Sequence, residues 1–319
     1  MRRIALGIAL LCAAAGAAAQ AYPARAVKFV VPFPPGGGVD IVARAVGDKL
    51  SPRLGQPIVI ENKPGGGTTI GTDAVAKSAP DGYTILISGI ASQAIVHHMN
   101  PNRPFDMQRD FAPVARIADG TIAFVVPASS RANSVLEFVA LAKRAPGRMT
   151  FASSGTGGII HLTGEMFKQA AGIDLTHVPY KGTTQILPDV LDGRIDLALD
   201  SVPAYLTHMK SGKVKVFAVA SARRSALFPD LPTMAEAGVP GVVAATDYAL
   251  YAPAGTRKDV IARLARETAV VLQDADLRAK LAAQAIEVRG GGPEALGAEL
   301  AAEIEKWGRV MRAANIKPE

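Results

Sequence analysis

The sequence has almost no cysteine, because its 319 residues include only one, Cys12. Cys12 lies in an apolar N-terminal run, and Leu11 before it disfavours a lipid-attachment site, which needs a small residue there. The rest of the chain has no thiol, which excludes disulfides and thiol chemistry. The histidines also lack metal-binding spacing, so we expect no metal and no cofactor. They are His97, His98, His161, His177 and His208.

Aromatic residues are scarce, at 5% of the chain, which argues against a surface that stacks nucleic-acid bases. The formal net charge is +7, but lysine and arginine are scattered among acidic residues rather than clustered. Dispersed charge is typical of a solvated surface. We therefore expect no nucleic-acid partner, while a basic surface can still help to capture anionic solutes.

Motifs for nucleotide binding and catalysis are also missing. No Gly-x-x-x-x-Gly-Lys-Ser/Thr loop occurs, and the stretch from Gly36 to Asp40 does not have Gly-x-Gly-x-x-Gly spacing. Ser153 and Ser154 follow Phe151 and Ala152 and lack the glycines of a nucleophile elbow. The sequence therefore predicts no catalytic residues.

The N-terminus has the three parts of a secretory leader. Arg2 and Arg3 precede an apolar run from Ile4 to Ala19, and Ala19-Gln-Ala21 offers a small-x-small cleavage site. We interpret residues 1–21 as a signal peptide. Its removal takes away two arginines and leaves a net charge of 7 − 2 = +5. No other apolar run is long enough to span a bilayer. The sequence predicts an exported, soluble protein.

Beyond the leader, the chain begins with a strand, a glycine-rich loop and a helix. Val27–Val31 is a β-branched apolar run, the loop Phe33–Asp40 contains three consecutive glycines, and apolar residues recur at helical spacing from Asp40 onward. Free N–H groups at a helix N-terminus favour an anion. Similar glycine- or serine-rich loops follow at 65–71, 88–92 and 153–158, and we expect them to bind a carboxylate without reacting with it.

Short strands alternate with helices through the first two thirds of the chain, which indicates an α/β fold. Asp110–Val114 is predicted to be a loop, and Trp307 a core residue on a C-terminal helix from Pro293 to Ala313. The chain crosses between two lobes near 118–123 and 244–250. We predict lobe 1 from residues 22–120 plus 248–319, lobe 2 from residues 121–247, and a ligand cleft between them.

Motifs along nearly the whole mature chain resemble one known family. The sequence is similar to the solute receptors of the tripartite tricarboxylate transporter system, also called Bug proteins. The resemblance lies in Val31-Pro-Phe-Pro-Pro-Gly-Gly37, Glu61-Asn-Lys-Pro-Gly65, Pro80-Asp-Gly-Tyr-Thr84, Asp110-Phe-Ala-Pro-Val114, Ser153-Ser-Gly-Thr-Gly157, His177-Val-Pro-Tyr-Lys-Gly182 and Leu231-Pro-Thr-Met-Ala-Glu-Ala-Gly238.

The resemblance implies a two-lobed periplasmic binding fold of the second type, with a mixed or parallel sheet in each lobe and a two-strand hinge. It implies a monomer that captures a small organic acid and delivers it to membrane permease subunits. Phe33, Gly37 and Gly38 would line one side of the pocket, and Ser153, Gly155 and Thr156 the other. Asp200 would lie near the distal end of the ligand. The loop residues Ser88 and His161 complete the candidate binding set.

Two other functions remain open from the sequence. The same receptor can serve as a sensor that docks onto a membrane signalling kinase. A secreted enzyme acting on a small acid would need an acid or base, for which Asp40, Asp200 and His161 are the candidates. Asp200 would repel a second carboxylate, which favours an amino acid or a monocarboxylate as ligand.

Overall fold

The computed structural model describes residues 22–318. The predicted signal peptide, residues 1–21, lies outside the described residues. Within the described part, no helix is both long and apolar enough to cross a membrane. The described chain forms two separate mixed β-sheets with helices packed against them, which confirms the predicted α/β class.

The first sheet has six strands in the order β11-β4-β10-β3-β1-β2. Strand β1 pairs in parallel with β2 and β3, while β10 runs antiparallel to β3 and β4, and β11 antiparallel to β4. Because β1 lies between β2 and β3, all of its residues except Lys28 are buried, which agrees with its mainly apolar sequence. The strands are β1 Val27–Val31, β2 Ile58–Asn62, β3 Thr84–Ser88, β4 Phe111–Gly120, β10 Thr246–Pro253 and β11 Ile286–Val288.

The second sheet has five strands in the order β7-β6-β8-β5-β9. Strand β6 is parallel to β7 and β8, and β5 is antiparallel to β8 and β9. The strands are β5 Ile122–Pro127, β6 Thr150–Ser153, β7 Thr176–Pro179, β8 Leu197–Ser201 and β9 Val214–Val219.

Two chain segments join the sheets. Only Thr121 separates the end of β4 from the start of β5, and the chain returns through residues 220–245 to β10. The returning strand pairs with the departing one, since Thr246 is opposite Gly120 and Asp247 is opposite Asp119. The two crossings therefore lie side by side, next to the place where the sheets face each other.

The helices cover both sheets, and the last of them reaches across to a helix of the second sheet. Gln169 on α5 donates from Nε2 to the carbonyl of Val310 on α10 at 3.2 Å. Trp307 on α10 is fully buried, which confirms its predicted core role. The helices are α1 Gly38–Leu54, α2 Thr69–Ala76, α3 Ile90–Met99, α4 Val135–Arg144, α5 Ile159–Ala171, α6 Thr183–Leu191, α7 Leu206–Lys210, α8 Lys258–Val271, α9 Ala275–Ala282 and α10 Pro293–Ala313.

One predicted loop is a strand. The prediction for Asp110–Val114 was wrong, because β4 begins at Phe111. Pro113 has no N–H to donate, but the register with β10 shifts between Leu250 and Tyr251, opposite this point. A proline is tolerated at such an irregularity. Tertiary pairing with β10 therefore overrides the local turn signal.

Candidate functional site

A cleft of about 770 Å³ lies where the loops of the two sheets face each other. Loops that open helices α1, α3 and α6 reach it, together with the first residue of α5 and both chain crossings. Its size is in the range of small-molecule sites. The lining residues are Phe33, Pro34, Pro35, Gly36, Gly37, Gly38, Val39, Ile41, Gly89, Ser92, Gly120, Thr121, Ile159, Lys181, Gly182, Thr183, Thr184, Ser201, Pro203, Ala204, Thr246, Asp247, Tyr248, Gln284 and Ile286.

The loop before α1 is held in place by Asp40. Its carboxylate accepts hydrogen bonds from Gly36 N at 2.9 Å, Asn62 Nδ2 at 3.0 Å and Arg44 Nε at 3.0 Å. Burial alone would raise the pKa of Asp40, but the bonds from Arg44, Gly36 and Asn62 outweigh it and lower that pKa below 3.8. Asp40 is therefore an ionised anchor of the loop, which disfavours the acid or base role considered above.

Asp40 accepts from the N–H of Gly36, but the next two N–H groups of this turn are free in the described part of the chain. Within residues 22–318, the N–H groups of Gly37 and Gly38 form no hydrogen bond. Both residues line the cleft. A helix N-terminus with free N–H groups carries partial positive charge and attracts an anion.

The second sheet contributes a matching helix N-terminus at α6. Lys181, Gly182, Thr183 and Thr184 line the cleft there. Asp200, at the end of β8, fixes this turn by accepting from Thr183 Oγ1 at 2.9 Å and from Ser201 N at 2.7 Å. Tyr205 Oη donates to its other oxygen at 3.2 Å. The cleft thus has a helix N-terminus on each side.

Three predicted site residues line the cleft, namely Phe33, Gly37 and Gly38. The structure does not bring the others to its surface. Ser88 is buried and accepts from Gln93 Nε2 at 2.8 Å, and Asp200 is buried behind Thr183 and Ser201. The remaining predicted residues belong to the loop before α5 and its first turn, and they are Ser153, Gly155, Thr156 and His161.

The loop before α5 lies against α3 instead of lining the cleft. A Cβ atom placed on Gly157 would come within 2.5 Å of Met99 Cε, so the loop packs against the end of that helix. Only Ile159, directly after the loop, lines the cleft. Gly157 therefore allows a close approach between this loop and α3.

Behind this loop lies a cluster of Ser153, His161 and His177. Ser153 Oγ is 2.7 Å from His177 Nε2 and donates to the carbonyl of Gly155 at 2.9 Å. Gly157 N donates to His161 Nδ1 at 3.0 Å, and the two imidazole rings stack with centroids 3.8 Å apart. A serine–histidine contact is the geometry of an activated nucleophile. Ser153 is fully buried, however, and its hydrogen bonds support the loop.

Several lining residues were not identified from the sequence. Lys181 and Gly182 were noted only within a motif, Thr246 and Asp247 only within the predicted crossing at 244–250, and Thr183 and Ser201 not at all. One signal was available at α6, because Gly182 stands where a helix begins after a short apolar stretch, as Gly37 does before α1. Asp247 gave no such signal, since it lies inside an otherwise apolar strand.

We expect Gly38→Ala to destabilise the protein by about 1–3 kcal/mol, because it overpacks the wall of the cleft. A Cβ atom at Gly38 would lie 2.5 Å from Tyr248 Oη and 3.4 Å from Cζ, and Tyr248 is 4% exposed. Tyr248→Phe removes the clashing oxygen, so the double variant should recover most of the loss. Urea unfolding of all four chains measures this coupling.

The matched control is Gly297→Ala on α10, where the nearest atom to a new Cβ is Pro113 Cγ at 3.6 Å. This exchange should be neutral or stabilise by about 0.5–1 kcal/mol, as for glycine in a helix. Strictly additive effects of Gly38→Ala and Tyr248→Phe would show that the contact with Tyr248 does not cause the loss of stability in Gly38→Ala.

Two sheets joined by adjacent crossings, with a cleft between their loops, define the class of two-lobed periplasmic binding proteins. Comparison with known proteins identifies the family within this class. The family model described as "Tripartite tricarboxylate transporter family receptor" matches residues 42–316. BugT of Bordetella pertussis is 36% identical over 322 residues, covering 99% of this chain and 99% of BugT. The chain belongs to this family of receptors.

Solved structures agree with this assignment. The structure of Rpa4515 of R. palustris with adipate has 34% sequence identity and a TM-score of 0.81, covering 93% of this chain and 100% of that one. MatC from Rhodopseudomonas palustris with bound malate has 29% identity and a TM-score of 0.76, covering 91% and 99%. The predicted family and the predicted two-lobed fold are therefore confirmed.

Proposed function

We propose that this protein is a periplasmic receptor that captures a small organic acid and delivers it to a tripartite tricarboxylate-type membrane transporter. The observation that carries the proposal is the pair of helix N-termini, α1 and α6, which reach one cleft from the two sheets. The relatives with adipate and malate hold dicarboxylates in the same fold. A carboxylate is the ligand group that such donors suit best.

In this proposal the lobes are residues 22–120 plus 248–319 and residues 121–247, with the crossings as a hinge. Phe33, Gly37 and Gly38 bind from lobe 1, and the turn at Lys181–Thr184 binds from lobe 2. Ser88 and Asp200 act as positioning residues, as do Ser153, Gly155, Thr156 and His161 around the loop before α5. The leader is removed after Ala21, and the mature protein is a monomer that uses no metal or cofactor.

Turnover forms no part of this function. Asp40 is committed to Arg44 and Asn62, Asp200 to Thr183 and Tyr205, and Ser153 is buried. Neither these groups nor His161, which accepts from Gly157 N, lines the cleft, so none of the enzyme candidates offers the ligand an acid or base. The acid that binds should therefore be recovered chemically unchanged after long incubation, as followed by NMR.

We expect carboxylic acids to raise the thermal unfolding midpoint of the mature chain, because a ligand that binds only the folded state stabilises it by mass action. A ligand at 100 times its Kd adds about 2.7 kcal/mol. The screen compares mono-, di- and tricarboxylates, amino acids and aromatic acids, with sugars and metal cations as controls. A midpoint raised by sugars or cations but by no acid would contradict the proposal.

A further inference from the structure

The cleft wall formed by β10 contains a buried carboxyl group, Asp247. The residue is 7% exposed and lines the cleft beside Gly89 and Tyr248. Both of its oxygens lie 3.1 Å from Ala91 N, at the start of α3. Within residues 22–318 its side chain has no other hydrogen bond, so its two oxygens keep acceptor capacity beyond the bond from Ala91 N.

The groups around Asp247 are acidic on balance. After burial itself, the charges of Glu303 on α10 and Asp119 on β4 raise the pKa of Asp247 to about 8, while Ala91 N and Arg116 lower it. The nearby phenol of Tyr248 stays neutral, because burial raises its pKa to about 12. The wall at Asp247 therefore favours a positive charge over a negative one.

The cations near this wall already have partners. Arg116 binds Asp119 at 2.6 Å and Glu299 at 2.6 Å, and Arg289 binds Asp119 at 3.0 Å. Glu303 is paired with Lys306 and accepts from Trp307 Nε1 at 2.7 Å. None of these groups hydrogen-bonds Asp247 in the described residues.

The charge on the other side of the cleft has the opposite sign. Among the lining residues, only Lys181 has an amino side chain and only Asp247 a carboxyl side chain. Lys181 is exposed and stands at the N-terminus of α6, while Asp247 lies on the first sheet. The cleft is thus polarised, with donors and a cation on one element and a carboxyl group on another.

We propose that Asp247 receives an ammonium group of the ligand, so that the receptor prefers amino acids to carboxylic acids that lack an amine. This inference rests on the proposed function, since the ligand carboxylate occupies the helix N-termini. The ammonium group would donate a charge-assisted hydrogen bond to the acceptor capacity left at Asp247. A cation there also offsets the cost of burying the carboxylate, which a second carboxylate cannot do.

The test compares acids that differ by one amine. The pairs are glutamate with glutarate, aspartate with succinate, valine with 3-methylbutanoate, and phenylalanine with 3-phenylpropanoate, titrated by calorimetry at pH 7.5. For the pair that binds best, the amino member should bind the natural chain at least tenfold more tightly. Asp247→Asn should remove that preference while the desamino member binds as well or better.

Asp276→Asn is the matched control, because Asp276 is 92% exposed on α9 and does not line the cleft. It should retain the preference for the amine. Circular dichroism checks that both variants fold. A preference for the desamino member in the natural chain, or one for the amine that survives Asp247→Asn, overturns the role of Asp247.

A second measurement needs no variant. Binding of an ammonium group requires ionised Asp247, so affinity for the amino member should rise between pH 6 and pH 8, by up to about tenfold per unit. Protons released on binding should appear as different calorimetric enthalpies in phosphate and Tris. Affinity that falls over this range contradicts the inference alone, whereas binding of no acid at any pH contradicts the proposed function.

Discussion

Asp200→Ala should lower the free energy of unfolding by about 3–5 kcal/mol. The Asp200 carboxyl is fully buried and accepts from Ser201 N, Thr183 Oγ1 and Tyr205 Oη. Alanine leaves these three donors without their acceptor. The buried Tyr205 hydroxyl without a partner costs about 1–3 kcal/mol, and the lost bonds of Thr183 and Ser201, which line the cleft, cost about 0.5–1.5 kcal/mol each. Burial also raises the pKa of Asp200 above its ordinary value of 3.8. The natural protein therefore already bears a cost for burying this carboxylate, and alanine removes that cost, which limits the net loss.

Ligand affinity should fall with stability in this variant, because Thr183 belongs to the turn that opens α6. Losing the bond to Asp200 frees the turn, and ordering it again opposes binding. Urea unfolding gives the stability loss, and calorimetry with the best-binding acid gives the change in Kd. The two readouts separate a general loss of fold from a local loss of the turn.

Asp200→Asn serves as the conservative control. Its amide oxygen can still accept from Thr183 and Ser201, and its amide nitrogen can donate to the Tyr205 hydroxyl. It should lose less than half of what Asp200→Ala loses. The exposed Asp192, exchanged for alanine, should change stability by no more than about 0.5 kcal/mol. Equal losses for alanine and asparagine at residue 200 would mean that charge, rather than hydrogen bonding, holds this turn.

Much of the fold was accessible from sequence because its signals are local. The predicted strand at 27–31 and the predicted helix at 293–313 have the bounds seen in the structure. Ser134 followed by Glu137 is a capping signal in the sequence, and the Ser134 side chain accepts from Glu137 N. Periodicity and capping are properties of a few neighbouring residues, and the folded environment reinforced them.

Other elements depend on distant partners. The short strand β11 forms only because Ile286–Val288 pairs with β4, more than 160 residues earlier in the chain. Helix α6 contains Pro188 and buries only Ile186 and Val190, so its pattern is too weak to read alone. Pairing and packing across the fold decided these elements, which local propensity cannot show.

The candidate site was harder to predict for a geometric reason. The sequence indicates which strands end in glycine-rich loops, but not which loops meet across a cleft. The loop 153–158 is richer in glycine and serine than the turn at Lys181–Thr184. Gly157 nevertheless packs against Met99, and it is the turn at Lys181–Thr184 that lines the cleft. Asp247 acquires its environment from Glu303 and Asp119, which are distant in sequence.

Acidification from pH 6.5 to pH 4 should destabilise the fold through His161 and His177. Burial is the largest cause that lowers the pKa of each imidazole ring from 6.5 to about 4. For His161 the next causes are His177 and then Lys168, and for His177 the next cause is Lys168. Between these values the unfolded chain binds protons that the folded chain does not. The free energy of unfolding therefore falls as the pH falls, by up to about 1.4 kcal/mol per pH unit for each histidine.

The geometry explains why the rings resist protonation. His161 Nδ1 accepts from Gly157 N, so a proton there would break the bond that holds the loop before α5. The rings lie 3.8 Å apart, and two stacked cations beside Lys168 would repel each other. Glu165 Oε1, 3.9 Å from His161 Nε2, is already paired with Lys168 at 3.0 Å. Because the charge of Glu165 is already paired with Lys168, Glu165 gives the charged form of His161 little stabilisation.

Neutral replacements test this linkage. Asparagine at His161 retains an acceptor near the Nδ1 position, and glutamine at His177 retains a polar group near Nε2. The double variant His161→Asn/His177→Gln should lose less stability than the natural chain between pH 6.5 and pH 4, measured by urea unfolding at half-unit steps. His208→Gln on α7 is the matched control and should follow the natural chain. Parallel pH curves for the double variant and the natural chain would assign the acid sensitivity to other groups, because removing both titrating rings must remove their proton uptake.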